Sequence, residues 1–227
     1  MRAFTRALAA LAILTAAAPA NAENDFYLSL SGMYFVPTDS TVSTTVDDLK
    51  VESDLEMDSG MGFAAAVGYG AAVGLRGEIE LSYRSADWDR FSGLELSSGG
   101  QSVSFDGTLP VEGSTTAVSL MANGYVAFEA WEQFRPYFGG GIGMARIDAT
   151  VDEQTYTVDG TDYTIAGASS DDTVVAYQIM LGVAYPLGDT AEARLGYRYF
   201  GTGEAEFEGI KAGLSSHNVE AGILFRF

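Results

Sequence analysis

The segment HNVEAGILFRF, residues 217–227, carries the decisive pattern: Val219, Ala221, Ile223, Phe225 and Phe227 alternate with Asn218, Glu220, Gly222, Leu224 and Arg226. Successive side chains of a strand point to opposite faces, so one face here is wholly apolar while the other bears two charges. A soluble sheet would bury that apolar face under a second layer. A transmembrane barrel strand turns it to lipid and turns the polar face to a polar interior. Recurrence of the pattern at membrane-spanning length separates the two.

It recurs seven times. LRGEIELSYR, residues 75–84, is the sharpest case, with Leu75, Gly77, Ile79, Leu81 and Tyr83 alternating with Arg76, Glu78, Glu80, Ser82 and Arg84. DFYLSLSGMYFV (25–36), MGFAAAVGYG (61–70), TAVSLMANGYVAF (116–128), FRPYFGGGIGMAR (134–146), TVVAYQIMLGVAYP (173–186) and AEARLGYRYF (191–200) repeat the alternation. In 134–146 the inward positions include Gly139, Gly141 and Gly143, which suggests large side chains crowding a narrow interior from across it. The connections alternate between long polar stretches (37–60, 85–114, 147–172, 201–216) and short turns (AAVG, EAWEQ, PLGDT). Outer-membrane barrels have long external loops and short periplasmic turns. The outward stripes carry no charge until Arg146, at the outer end of its strand.

Running the strands alternately up and down sorts the outward aromatics into two levels. Tyr34, Phe63, Tyr83, Tyr177 and Tyr199 fall near the outer rim, and Phe26, Tyr69, Phe128, Phe134, Tyr185 and Phe227 near the periplasmic rim. Amphipathic rings collect where headgroups begin. The fold class is therefore all-β, an eight-stranded antiparallel up-and-down transmembrane β-barrel.

Residues 1–22 read as a cleaved signal peptide, with Arg2 and Arg6, an apolar run and Ala20-Asn21-Ala22, leaving a single barrel domain over 23–227. Cleavage leaves 12 − 2 = 10 bases against 31 acids, a net charge of −21. That balance argues against nucleic acid or anionic lipid as a direct electrostatic partner. The absence of cysteine means that an exported chain does not rely on disulfides.

The pattern of LRGEIELSYR, MANGYVAF, RPYFGGGIGMAR and the last strand resembles the eight-stranded outer-membrane barrels of the OmpA-type, OmpX and opacity-protein group, including the porin-family surface proteins of that size. The resemblance covers about 25–227 and implies residence in a Gram-negative outer membrane. It also implies contact with outer-membrane lipid and lipopolysaccharide, and recognition by the barrel-assembly machinery through Gly222, Phe225 and Phe227. The chain departs from full OmpA-type proteins in ending at Phe227, so a wall-anchoring role is not carried over.

Inward positions collect Arg76, Glu78, Glu80, Arg84, Glu192, Arg194, Arg198, Glu220 and Arg226, five arginines against four glutamates. Away from water such charges must pair, and a barrel of eight strands is filled by side chains, so a salt-bridge plug is expected. Within it, Arg194 or Arg198 is expected to meet Glu220 across adjacent strands. A narrow porin-like channel is the alternative. The four long connections hold 22 of the 31 acids and only Lys50, Arg90 and Lys211 as bases, which predicts solvated acidic loops facing an extracellular partner.

No cofactor is expected, and no metal. VDGTDY, with Asp159 and Asp162, lacks the spacing of a calcium loop, and one histidine without cysteine makes zinc a poor candidate. Catalysis is not expected either. A lipid A modifying enzyme is a second alternative, resting on Ser215, Ser216, His217 and Glu220, but His217 stands at the edge of its loop. Trp88 and Trp131 read as interface or loop residues. The functional expectation is a monomeric surface protein with an adhesin-like or envelope-integrity role.

Overall fold

The computed structural model describes residues 25–227 apart from 39, 47–48, 100, 131–132, 159–160 and 208–209. The strands are β1 (Asp25–Pro37), β2 (Ser40–Val46), β3 (Leu49–Met57), β4 (Gly60–Gly70), β5 (Gly74–Ser98), β6 (Gln101–Pro110) and β7 (Gly113–Ala127). They continue with β8 (Arg135–Val151), β9 (Gln154–Val158), β10 (Thr161–Ile165), β11 (Ala168–Pro186), β12 (Ala191–Phe207) and β13 (Ile210–Arg226). Eight of them form a ring in the order β1, β4, β5, β7, β8, β11, β12, β13, every neighbour antiparallel. Pairing of β1 with β13, Leu30 opposite Ile223 and Tyr34 opposite Val219, closes the ring and leaves no edge at membrane depth.

Burial follows the sequence period of two along all eight strands. In β1, Tyr27, Ser29, Met33 and Phe35 are buried while Phe26, Leu28, Leu30, Tyr34 and Val36 are exposed. The exposed set is large and apolar: Ile142 is 70 % accessible, Phe63 66 % and Ile179 60 %. Among the described residues no second layer covers it. In water each such side chain would forgo about 1.5–3 kcal/mol of burial, whereas acyl chains solvate it. The stacked-sheet reading of the alternation is thereby excluded.

Inward glycines stand where large side chains lean over from the adjacent strand rather than from across the interior. A Cβ at Gly68 would strike the ring of Tyr27, its partner on β1, which reaches over it to Glu78 on β5, and one at Gly141 would strike Asn123, its partner on β7, which meets Gln178 on β11.

The long connections differ from the sequence reading, which treats them as loops that need not fold. They carry sheet. β5 runs for 25 residues, well past the roughly 10 that cross a bilayer. Beyond the barrel its upper half pairs with β3 on one side and β6 on the other, β3 pairs with β2, and β2 reaches Ile210, Lys211 and Ala212 at the start of β13. The reason is local: STVSTTV in β2 is rich in β-branched residues, which favour extended backbone whether or not a face is apolar. Register shifts at Ser92/Leu94 and Glu56/Met57 let this ribbon bend away from the barrel wall.

Candidate functional site

All nine charged residues expected inside are inside and buried. They lie at three levels. At the short-turn end, Glu192 of β12 accepts from Arg76 Nη1 at 3.3 Å, Arg135 Nη1 at 3.0 Å and Arg226 Nη2 at 3.3 Å, three guanidiniums drawn from β5, β8 and β13. Arg226 also donates to the Gly70 carbonyl at 3.0 Å, tying the last strand to the end of β4.

At the middle level, Glu78 accepts from Tyr125 Oη at 2.7 Å, Tyr27 Oη at 3.1 Å and Asn123 Nδ2 at 3.1 Å. Arg194 makes no ion pair among the described residues. Its guanidinium lies over the Tyr137 and Tyr125 rings, 4.5 and 5.0 Å from their centroids, and donates to Ser29 Oγ at 3.5 Å. Ring faces thus take the place of acceptors for N–H groups of Arg194 and Arg76 that have no hydrogen-bond partner.

At the upper level, Arg198 is the bridge. Its Nη1 donates to Glu80 Oε1 at 2.5 Å and to Gln178 Oε1 at 3.1 Å, and its Nη2 lies 2.8 Å from Glu220 Oε2. Arg198 and Glu220 sit on the neighbouring strands β12 and β13; Glu80 comes from β5 across the bore. Arg84 stacks on Phe200 at 4.0 Å and donates to Asn218 Oδ1 at 3.3 Å and Ser82 Oγ at 2.9 Å. Beside and above these charges, Ala117, Met121, Ala145, Ile147, Val174, Ala176, Phe200, Ala205 and Leu214 form an apolar cluster with Met57 packed against it. A cavity of about 10 Å³, room for one water, lies among Glu78, Glu80, Arg194, Arg198 and Glu220.

Arg135 was not among the expected residues. It stands two residues before the inward Tyr137, and that parity is the signal that places it inside. Its inclusion makes six guanidiniums against four carboxylates, which is why rings and neutral amides are recruited as partners.

On the outer wall, Tyr34, Phe63, Tyr83 and Tyr177 are exposed at the long-hairpin end, with Tyr199 half-buried between Tyr177 and His217. Phe26, Tyr69, Phe128, Phe134, Tyr185 and Phe227 are exposed at the other end, where Phe26 packs on Tyr69 at 5.0 Å and Phe134 on Tyr185 at 5.6 Å. Of the last strand, Phe225 points outward, while Gly222 lies so close to Ser31 and the Leu30 carbonyl that a Cβ would collide. Trp88 donates to Thr115 Oγ1 at 2.7 Å where the ribbon leaves the barrel. Residues 1–22, Trp131 and Asp159 lie outside the described residues, as does the side chain of Asp162.

The residues weighed for catalysis are separated by the wall. His217 faces out, its Nδ1 2.6 Å from Tyr197 Oη, whereas Glu220 and Ser216 are buried on the lumen side. Ser215, two residues away, shares the parity of His217, but its hydroxyl is engaged by Thr38 Oγ1.

A closed ring of eight tilted strands, apolar outside and ionic within, with long hairpins at one end and short turns at the other, defines an outer-membrane β-barrel. The chain belongs to the outer membrane protein beta-barrel domain family, whose profile matches residues 7–227. Among curated proteins it is similar to one named "Putative adhesin" from Rickettsia bellii, 27% identical over 148 residues, 60% of this chain and 64% of that protein. A protein of the same name from Rickettsia felis is 27% identical over 146 residues, 58% of this chain and 61% of its own length. The chain thus spans a little under two thirds of these relatives. Among solved structures, Neisserial surface protein A superposes with a TM-score of 0.51 at 18% identity, covering 89% of this chain and 97% of that one, a likeness of fold.

Proposed function

We propose that this outer-membrane barrel is a surface attachment protein: its external β-ribbon and acidic hairpins meet a partner outside the cell, and its lumen is a structural plug. The observation that carries the reading is the division of labour along the axis. Below, the bore holds buried ion pairs with an apolar cluster packed beside and above them, and the cavity among the charges has room for about one water. Above, sheet extends well past what a membrane needs. A conducting pore favours neither feature, and the adhesin names of the relatives agree with the second.

The remaining assignments belong to the same reading. The two aromatic levels sit at the headgroups of outer-membrane lipid and lipopolysaccharide. Gly222, Phe225 and Phe227 form the strand that the barrel-assembly machinery takes up, residues 1–22 serve as a cleaved export signal, and the barrel is a monomer. It is not an enzyme, since the one histidine bonds a tyrosine on the outer wall, away from every inward carboxylate.

The test pairs two measurements. In planar bilayers the purified barrel is expected to give no steady conductance, and cells displaying it are expected to bind host-cell surfaces better than cells displaying a barrel whose four long hairpins are replaced by short turns. Ohmic single-channel steps together with equal adhesion by both kinds of cell would replace this reading with the narrow pore.

A further inference from the structure

The ribbon above the membrane ends in a strand with one open side. Among the described residues β6 pairs with β5 alone, so along the regular part of the ladder, from Gln101 to Phe105, alternate N–H and C=O groups point away from the sheet. Natural edge strands are blunted by lysine, by internal proline, by bulges or by shortness. β6 has no lysine or arginine and proline only at its last position, and its bulge, at Asp106 and Gly107, leaves the five residues Gln101–Phe105 as a regular open edge.

Its two faces are unlike. Residues directly opposite each other share a face, so Phe105, Leu94, Ser53 and Val42 form one row across β6, β5, β3 and β2, and Val103, Leu96, Val51 and Thr44 form the next. Nearest the open edge this face is apolar and uncovered: Val103 is 56 % accessible, Phe105 52 % and Leu94 39 %. On the other face the rows are Ser104, Glu95, Glu52 and Ser43, then Ser102, Ser97, Lys50 and Thr45, and Asp106 follows in the bulge. Lys50 is engaged with Glu52 at 2.8 Å, which leaves Glu95 and Asp106 to set the charge beside the edge.

We infer that the open side of β6 receives an extended protein segment as an added strand, one in which apolar residues alternate with lysine or arginine. This rests on the attachment reading and names the partner's chemistry. Main-chain hydrogen bonds to the edge supply the pairing, and alternate side chains supply the selectivity. One face of the incoming strand meets Val103 and Phe105. Residues on its other face lie beside Ser102 and Ser104, about 10 Å or two strand spacings from Glu95, within the combined reach of a long basic side chain and the glutamate. Charge also decides against the simplest rival, a second copy paired edge to edge. A chain of net charge −19, with its acids concentrated in these hairpins, repels itself there.

The experiment uses the full barrel in nanodiscs of neutral phosphatidylcholine and three labelled peptides with blocked ends, followed by fluorescence anisotropy: KVKVKVKV, EVEVEVEV, and KVKPKVKV. The first is expected to bind at least tenfold more tightly than either of the others, and to weaken as salt is raised from about 50 to 300 mM. Val103→Pro and Ser104→Pro address neighbouring residues whose N–H groups point to opposite sides of β6, so one of them strips a donor from the open edge while the β5 ladder stays whole. At least one of the two is expected to lose tenfold or more in affinity for KVKVKVKV, with the heat-induced gel shift of the barrel unchanged. Equal binding of KVKPKVKV, indifference to both proline substitutions, or no binding of KVKVKVKV would overturn the inference. Cells that adhere through the hairpins regardless of both substitutions would remove it and leave the attachment reading standing. Peptide capture at β6 by a barrel whose displaying cells do not adhere would remove the attachment reading instead.

Discussion

Replacing Glu192 with glutamine is expected to lower the thermal midpoint of the detergent-solubilised barrel by about 6–20 °C. The carboxylate serves Arg76, Arg135 and Arg226 at 3.0–3.3 Å and is almost wholly excluded from solvent. Glutamine keeps the shape and removes the charge, leaving three guanidiniums around a neutral amide. Breaking a buried ionic cluster by deleting one partner costs about 3–5 kcal/mol, because the charges left behind have already lost their water. For a chain of 150–250 residues each kcal/mol moves the midpoint by about 2–4 °C. Intrinsic tryptophan fluorescence or the heat-induced gel shift reads the change, with exposed Glu204→Gln as a control that should not move it. An unshifted Glu192→Gln barrel would mean that water enters the periplasmic end and solvates the arginines.

The second large effect is at Arg198, and its sign reverses with context. Arg198→Met strands Glu80 and Glu220, one across the bore and one on the next strand, and a loss of about 3–5 kcal/mol is expected by the same reasoning. Glu220→Gln alone should be milder, because Arg198 keeps Glu80 and Gln178 as acceptors. In the quadruple variant Glu80→Gln, Arg84→Met, Arg198→Met and Glu220→Gln, no charge remains at this level, since buried Arg84 is removed together with the carboxylates that balance it. Replacement of a whole buried ionic network by neutral groups of similar volume is often close to neutral. Most of the single-variant loss should therefore return, giving a strongly non-additive cycle in urea or thermal unfolding. Additive losses would show that the four residues contribute by packing alone.

The barrel was legible because its strands must satisfy two solvents at once. In LRGEIELSYR every outward residue is apolar or glycine-sized and four of the five inward ones are charged, so a single pattern gives the faces, the length and the plug residues together. Strand adjacency set Arg194 or Arg198 beside Glu220 without choosing between them, and it is Arg198 that makes the ion pair. The external ribbon was not legible for the converse reason: both its faces are largely open to water outside the membrane, so β2, β3 and β6 carry no lipid-matched stripe. Its Ser, Thr and acidic residues read as loop composition. The apolar rows of the ribbon emerge only when Leu94 is set opposite Phe105 and Leu96 opposite Val103, which depends on hairpin registers and a bulge that spacing alone does not give. Arg135 was within reach of parity, being two residues before Tyr137, but Pro136 and its place at the strand's beginning masked it. The roles of Tyr125 and Tyr137 as ring partners for Arg194 depend on cross-bore distances, which no linear pattern encodes.

The central claim is that the outer stripe faces acyl chains while the bore is closed. The chain has no native cysteine, so single cysteines at Leu81, Ile142 and Ile179 can be nitroxide-labelled and their collision rates measured in a bilayer by electron paramagnetic resonance. All three labels are expected to collide freely with oxygen, which concentrates in the hydrocarbon, and hardly at all with a water-soluble nickel chelate; a label at Val103 on the external ribbon should show the opposite preference. Labels at Leu81, Ile142 and Ile179 that are shielded from both reagents, or open to nickel, would contradict it.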